Sequence, residues 1–313
     1  MLRVVKPKNS RSKRFLDNRE AKAVENVKTA LVLRGSNTSE IVKEALADLY
    51  ALKKPDAVSF SKKNEIHPFD DQAPLEALLR KNDTSLFLLG THSKKRPHNL
   101  VFGRAFDHQI LDMIEVGIEY AIPGYVFADA KCAVGARPLF LFQGEAFDQR
   151  EEYRAFKNLL IDFFHGEFTD GIDLHGIQHM ISVTAGPLPA DESESGVIYF
   201  RVLSIELKKS GTKNPRVETT EMGPALDFRI RRTKLADMNT WRQATRVPRE
   251  MHARNVKNIN RDGMGDTYGR IHLGEQKLDE IQTRKMKALK LTRQEKKSQQ
   301  NDAEGDDGSM NVE

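Results

Sequence analysis

One cysteine, Cys132, in 313 residues excludes an intramolecular disulfide framework and a multi-cysteine zinc site. That scarcity leads us to expect a reducing, intracellular compartment. No apolar run approaches the roughly 20 residues that a membrane span needs. The basic start MLRVVKPKNSRSKR has no apolar stretch after it, so it does not read as a secretory signal. Phosphate cradles and hydrolase elbows are missing as well. There is no GxxxxGK followed by Ser or Thr, no GxGxxG after a strand, and no GxSxG.

What remains of site chemistry is thin. His175 and His179 stand four apart, a spacing that suits one helix face, with His165 nearby, but no further ligand completes a metal set. Cys132, followed by AVG, reads as a small buried hydrophobe rather than a nucleophile. Glu167, Asp170 and Asp173 lie near His165, but Gly166 and Gly171 make that stretch a loop. The expectation is a soluble protein that is not an enzyme and holds neither metal nor cofactor.

Charge is plentiful and unevenly placed. Residues 1–22 hold eight Lys and Arg against two acids, and residues 238–297 hold 15 against seven. Between them, residues 23–237 carry 27 cations and 31 acids, and the last 16 residues carry five acids and no cation. Basic arms on a near-neutral body suit nucleic acid, because each neutralised phosphate releases counterion. Arms that merely solubilise are the plainer reading.

Hydrophobic periodicity orders the chain. Residues 1–28 read as an extended basic arm. TALVLRG is a strand, and the helix after it sets Ile41, Val42, Ala45, Leu46 and Leu49 on one face, capped by Asn37 or Thr38. AVSF is a strand, and SLFLLGTH with HNLVFGRAF makes a hairpin. A helix capped by Asp107 follows, with Ile110, Leu111, Ile114 and Ile118 as its stripe, ended by AIPGY. A similar order returns: strand PLFLFQG, a helix built on Phe156, Leu159, Leu160 and Phe163, then strands HMISVTAG and VIYFRVL. That return suggests a duplicated α/β unit. RVETTEMGPALDFRIRR reads as two short strands broken at Gly223-Pro224. Residues 238–297 form a basic, partly helical extension and 298–313 an acidic, disordered tail.

The candidate RNA contacts follow from this layout. SKKRPHN caps the hairpin, so Lys94, Lys95 and Arg96, with His98 beside them, ride on a rigid strand pair; a merely wet loop is the bland alternative. Lys62 and Lys63 end another strand. Arg229, Arg231 and Arg232 alternate with Phe228 and Ile230 and run into Lys234, unless they serve only to protect an edge strand. On a helix over QKLDEIQTRKMKALK, the cations Arg284, Lys285, Lys287 and Lys290 join the set, with Leu278, Ile281, Met286 and Leu289 on the apolar side. Such cations predict contact with phosphates and RNA shape rather than base reading.

Several stretches carry a resemblance: VVKPKNSRSKR, VENVKTALVLRGSNTS, ALKKPDAVSFSKKNEIHPFDD, SLFLLGTHSKKRPHNLVFGRAFDHQILDMIE, PLFLFQGEAF, VETTEMGPALDFRIRR and GRIHLGEQKLDEIQTRKMKALK. In this order, over roughly residues 1–292, the chain resembles the Brix-domain family of ribosome assembly factors. It departs from the common Arg-Phe after Gly-Pro, carrying Ala225-Leu226 instead. The resemblance implies a Brix domain at 29–237, of two similar α/β halves near 29–124 and 136–237, like the anticodon-binding domains of some tRNA synthetases. It implies a nucleolar protein in a heterodimer with the regulator of ribosome synthesis protein. It further implies that the pair brings 5S rRNA and its two ribosomal proteins to the large-subunit (60S) rRNA precursor. If the halves pack together, their junction is one place where such a partner could add strands or helices, and the sequence does not show which edge is open. An RNA-processing or RNA-modifying enzyme with an unrecognised site, and a structural ribosomal protein, are the alternatives from other classes.

Overall fold

Asn9 caps a helix where the sequence reading expects an extended arm: its Oδ1 accepts from the Ser12 amide at 2.8 Å, and Ser10–Arg19 form α1. The computed structural model describes residues 7–19, 26–127, 131–166, 176–189, 195–211, 214–247, 257–261, 266–269, 274 and 291–305. Strand β1 (Ala30–Gly35) is the buried run ALVLRG. Helix α2 (Glu40–Lys53) follows and buries Val42, Ala45, Leu46 and Leu49, while Ile41 stays exposed. Its cap is Ser39, not Asn37 or Thr38, with Ser39 Oγ accepting from the Val42 amide.

Then come β2 (Ala57–Asn64), α3 (Ala73–Asn82), β3 (Leu86–Thr91) and β4 (Asn99–Phe106). The helix expected after Asp107 is instead β5 (Gln109–Ile122). Asp107 and His108 both take positive φ, 49° and 63°, and make a two-residue hairpin turn back from β4. A 3-10 turn, Gly124–Val126, ends this half. The second half holds β6 (Leu139–Gln143), the short α4 (Ala146–Gln149), α5 (Glu151–Phe164), β7 (His179–Ala185) and β8 (Val197–Lys208). His179 therefore sits on a strand, not on a helix face shared with His175, which lies outside the described residues.

The last strand of the large sheet, β9 (Arg216–Lys234), runs unbroken through Gly223-Pro224. Its pairing with β8 shifts register there, so the proline, which has no amide to give, falls where the ladder bulges. Helix α6 (Met238–Ala244) follows, with Asp237 as its cap.

The strands form one sheet in the order β2-β1-β3-β4-β5-β9-β8-β7-β6. β1 and β3 are parallel and β3 and β4 antiparallel, just as β6 and β7 are parallel and β7 and β8 antiparallel. The two halves are thus repeats of one unit, joined where β5 pairs antiparallel with β9. Helices α2 and α5 cover one face, where Phe102, Phe156, Phe163 and Phe228 meet edge to face. On the other face α3 covers the first half through Leu31, Leu33, Leu75, Leu79 and Phe87. Arg104 on β4, buried and bonded to Asp112, Asn158 and Asp162, ties β5 and α5 together beneath Trp241 of α6.

A separate unit, residues 253–313, contains the ribbon β10 (Ile259–Arg261) with β11 (Thr267–Gly269), and helix α7 (Arg293–Gly305). The acidic tail is therefore helical as far as residue 305 rather than disordered from 298.

Candidate nucleic-acid interface

The loop between β3 and β4 closes as a tight turn. The Ser93 amide donates to the Arg96 carbonyl and the Arg96 amide to Ser93 Oγ, both at 3.1 Å. Lys94 and Lys95 occupy the middle of that turn, exposed and without an ion-pair partner among the described residues. The base is strapped down: the His92 amide donates to the Asn37 carbonyl at 2.9 Å, and the His98 amide to His92 Nδ1 at 3.1 Å. His98 Nδ1 lies 2.8 Å from Ser39 Oγ, which joins the finger to the cap of α2. Burial, with His92 and Arg231 nearby, pushes the His98 pKa down. His98 is thus tied at both its ring and its backbone amide to the base of the finger.

Strand β9 supplies a second cluster. It lies between β5 and β8 in the sheet, so its arginines do not guard an edge. Glu115 pairs with Arg232 and Val116 with Ile230, which leaves Arg231 in a bulge. Arg231 and Arg232 consequently reach the same network: Arg232 is bonded to the buried Glu115, and Arg231 donates to Asn99 Oδ1 at 3.1 Å. Asn99 in turn donates to Glu115 Oε1 at 2.6 Å. Arg96 approaches the same carboxylate, with Nε 3.8 Å from Oε1, and Arg229 is paired with Glu119. Glycine at 117 leaves room for the Arg231 guanidinium, which a Cβ there would strike. Half-buried Arg231 has its pKa pushed down, first by desolvation and then by Arg96 and Arg229 against the pull of Glu115 and Glu119.

Lys62 and Lys63 end β2, exposed, and Lys63 is in register with Arg34 of β1, which is in register with Gly90 of β3. The ends of β1, β2 and β3 and the finger therefore share one end of the sheet. The structure brings Lys62, Lys63, Lys94, Lys95, Arg96, Arg229, Arg231 and Arg232 to that end. Lys234 is exposed further along β9, level with Met113. Arg284, Lys285, Lys287 and Lys290 lie outside the described residues. Sequence reasoning missed Glu115 and Asn99, the groups that organise the arginines. A charged residue inside an apolar run is the signal that could have found Glu115. Half-buried Cys132 packs against the core, and burial pushes its thiol pKa up, away from nucleophilic use. Among the described residues no group of His, Cys, Asp and Glu is placed to hold a metal ion.

Two α/β repeats in one continuous sheet define the class of protein, and residues 35–232 match the Brix domain family model. The chain belongs to the Brix-domain family. Within it the chain is similar to the ribosome production factor 2 homologs. It is 44% identical to that of Schizosaccharomyces pombe over 303 residues, 96% of each chain. Against the Homo sapiens homolog the identity is 45% over 267 residues, 85% of each chain. Saccharomyces cerevisiae ribosome biogenesis protein RPF2 is 45% identical over 296 residues, 93% of this chain and 86% of that one. Among solved structures, an archaeal Imp4-like protein superposes with a TM-score of 0.32 at 11% identity, covering 66% of this chain and 99% of its own, a likeness too slight to build on.

Proposed function

We propose that the chain is an assembly factor for the large ribosomal subunit that binds rRNA and catalyses no reaction on it. With the regulator of ribosome synthesis protein, it recruits the 5S ribonucleoprotein to the nucleolar precursor. The observation that carries this reading is the gathering of the finger, the end of β2 and the β9 arginines at one end of the sheet. The names of its relatives, ribosome production and biogenesis factors, agree with it.

The meeting line of the two halves is closed by the β5–β9 ladder, which leaves no free strand edge there for a partner to extend. The sheet ends at β6, where one edge is unpaired among the described strands. Leu139, Leu141 and Tyr199 are exposed there, and no described helix matches α3 on that half. These features favour that edge and face for the partner, by strand addition or by covering apolar side chains.

Sedimentation of the tagged chain tests the reading. Comigration with large-subunit precursors and absence from mature subunits is expected. Persistence in mature subunits indicates a structural ribosomal protein. RNA turnover that survives purification and is lost on a point mutation contradicts the non-catalytic role.

A further inference from the structure

A cavity of about 300 Å3 opens beside the finger, at the carboxyl ends of the parallel strands β1, β2 and β3. Ligands of α/β sheets gather at such strand ends. Its size matches the lower range of small-molecule sites. The apolar part of its lining is Ile66, Leu89 and Val101, all buried. Phe69 makes one wall, with the Arg232 guanidinium 4.1 Å from its ring centre. Amides and imidazoles supply the polar lining: Asn37, Asn64, Asn99, His67 and His92.

The charges decide what fits. Glu65, Asp70 and Glu115 line the cavity together with Arg96 and Arg232, and Glu115 is already bonded to Arg232 and Asn99. A phosphate meets three carboxylates inside. A flat, neutral heterocycle carries no charge for them to repel: it takes the apolar surface with its faces, and its edge hydrogen-bonds the amides, imidazoles and carboxylates. The free cations, Lys94 and Lys95, stand on the finger beside the cavity, where the phosphates of a chain run past. We infer that the cavity takes one unpaired nucleotide of the bound RNA, base inside and backbone along the finger, an inference that rests on the RNA-binding reading above. Unpaired bases that swing out of a helix are what proteins read in RNA.

The test uses the full chain and two RNA hairpins, one with a single bulged nucleotide, prepared with each of the four bases, and one with an abasic bulge. The wild-type protein is expected to prefer at least one base-containing hairpin by roughly tenfold over the abasic one. Ser36→Trp and His67→Trp, each filling the cavity from an exposed rim position, are expected to erase that preference and leave the salt dependence of binding unchanged. Lys94→Ala with Lys95→Ala is expected to do the reverse. Equal affinity for all hairpins, or a preference that survives both fillings, overturns the nucleotide site while the RNA-binding reading stands. Displacement of the hairpin by free nucleoside monophosphate overturns the assignment to RNA. No binding of any hairpin sinks the inference together with the reading beneath it.

Discussion

His179 shows how one buried group sets a pH response. It is 2% exposed, its Nδ1 has no hydrogen-bond partner among the described residues, and burial alone pushes its pKa below the ordinary 6.5. Below 6.5 the unfolded chain binds a proton that the folded chain refuses, so this stability is whole above 6.5 and drains as pH falls. His179→Phe is expected to flatten the stability profile below pH 6.5, read by urea unfolding at several pH values. Superimposable profiles for variant and wild type contradict the assignment. The sequence placed His179 both in a histidine pair and at the start of the strand HMISVTAG; its burial depends on β7 packing beneath α5, which no local pattern reveals. Phe156, Leu159, Leu160 and Phe163, by contrast, were legible, because an amphipathic helix declares its own buried face.

At the scale of elements, β5 was misread because its acids look like the polar face of a helix. Asp112 and Glu115 are buried, at 5% and 0% exposure, and each is matched by an arginine far off in sequence or across a hairpin. Ile110, Ile114, Val116, Ile118 and Ile122 were the better guide, since β-branched residues favour a pleated surface. The finger was legible as a hairpin tip, but not its strap to α2, which runs through Ser39 and His98. Ser39→Ala removes the cap and the strap together, and a loss of about 1 kcal/mol in chemical denaturation is expected. A change within error contradicts the double role. At the opposite end of the sheet, Leu141→Lys puts a charge on the open face of the edge strand β6. It is expected to abolish copurification with the protein partner while RNA binding persists. Copurification at the wild-type level moves the docking surface away from β6.

Over the whole molecule, the duplicated unit was visible in the order of apolar runs, and the sheet confirms it strand for strand: β1, β3 and β4 answer to β6, β7 and β8. What the order could not tell was how the repeats join. Antiparallel pairing of β5 with β9 brings the arginines around 230 beside a finger more than a hundred residues earlier, so the candidate interface exists only in the folded sheet. Charge segregation along the chain pointed to RNA but placed the basicity in the arms. The described structure adds a cationic end to the near-neutral body.

The central claim is that this end of the sheet binds structured RNA. The most direct measurement is binding of the purified chain, with and without its partner, to 5S rRNA and to a size-matched unrelated RNA over a salt series. The variant carries Ala at Lys94, Lys95 and Arg96. The account predicts a preference for 5S rRNA and a steep salt dependence, whose logarithmic slope falls by about two to three when the three cations are removed. An unchanged slope and affinity in the variant would mean that the finger is a wet loop and that recruitment runs through protein contacts.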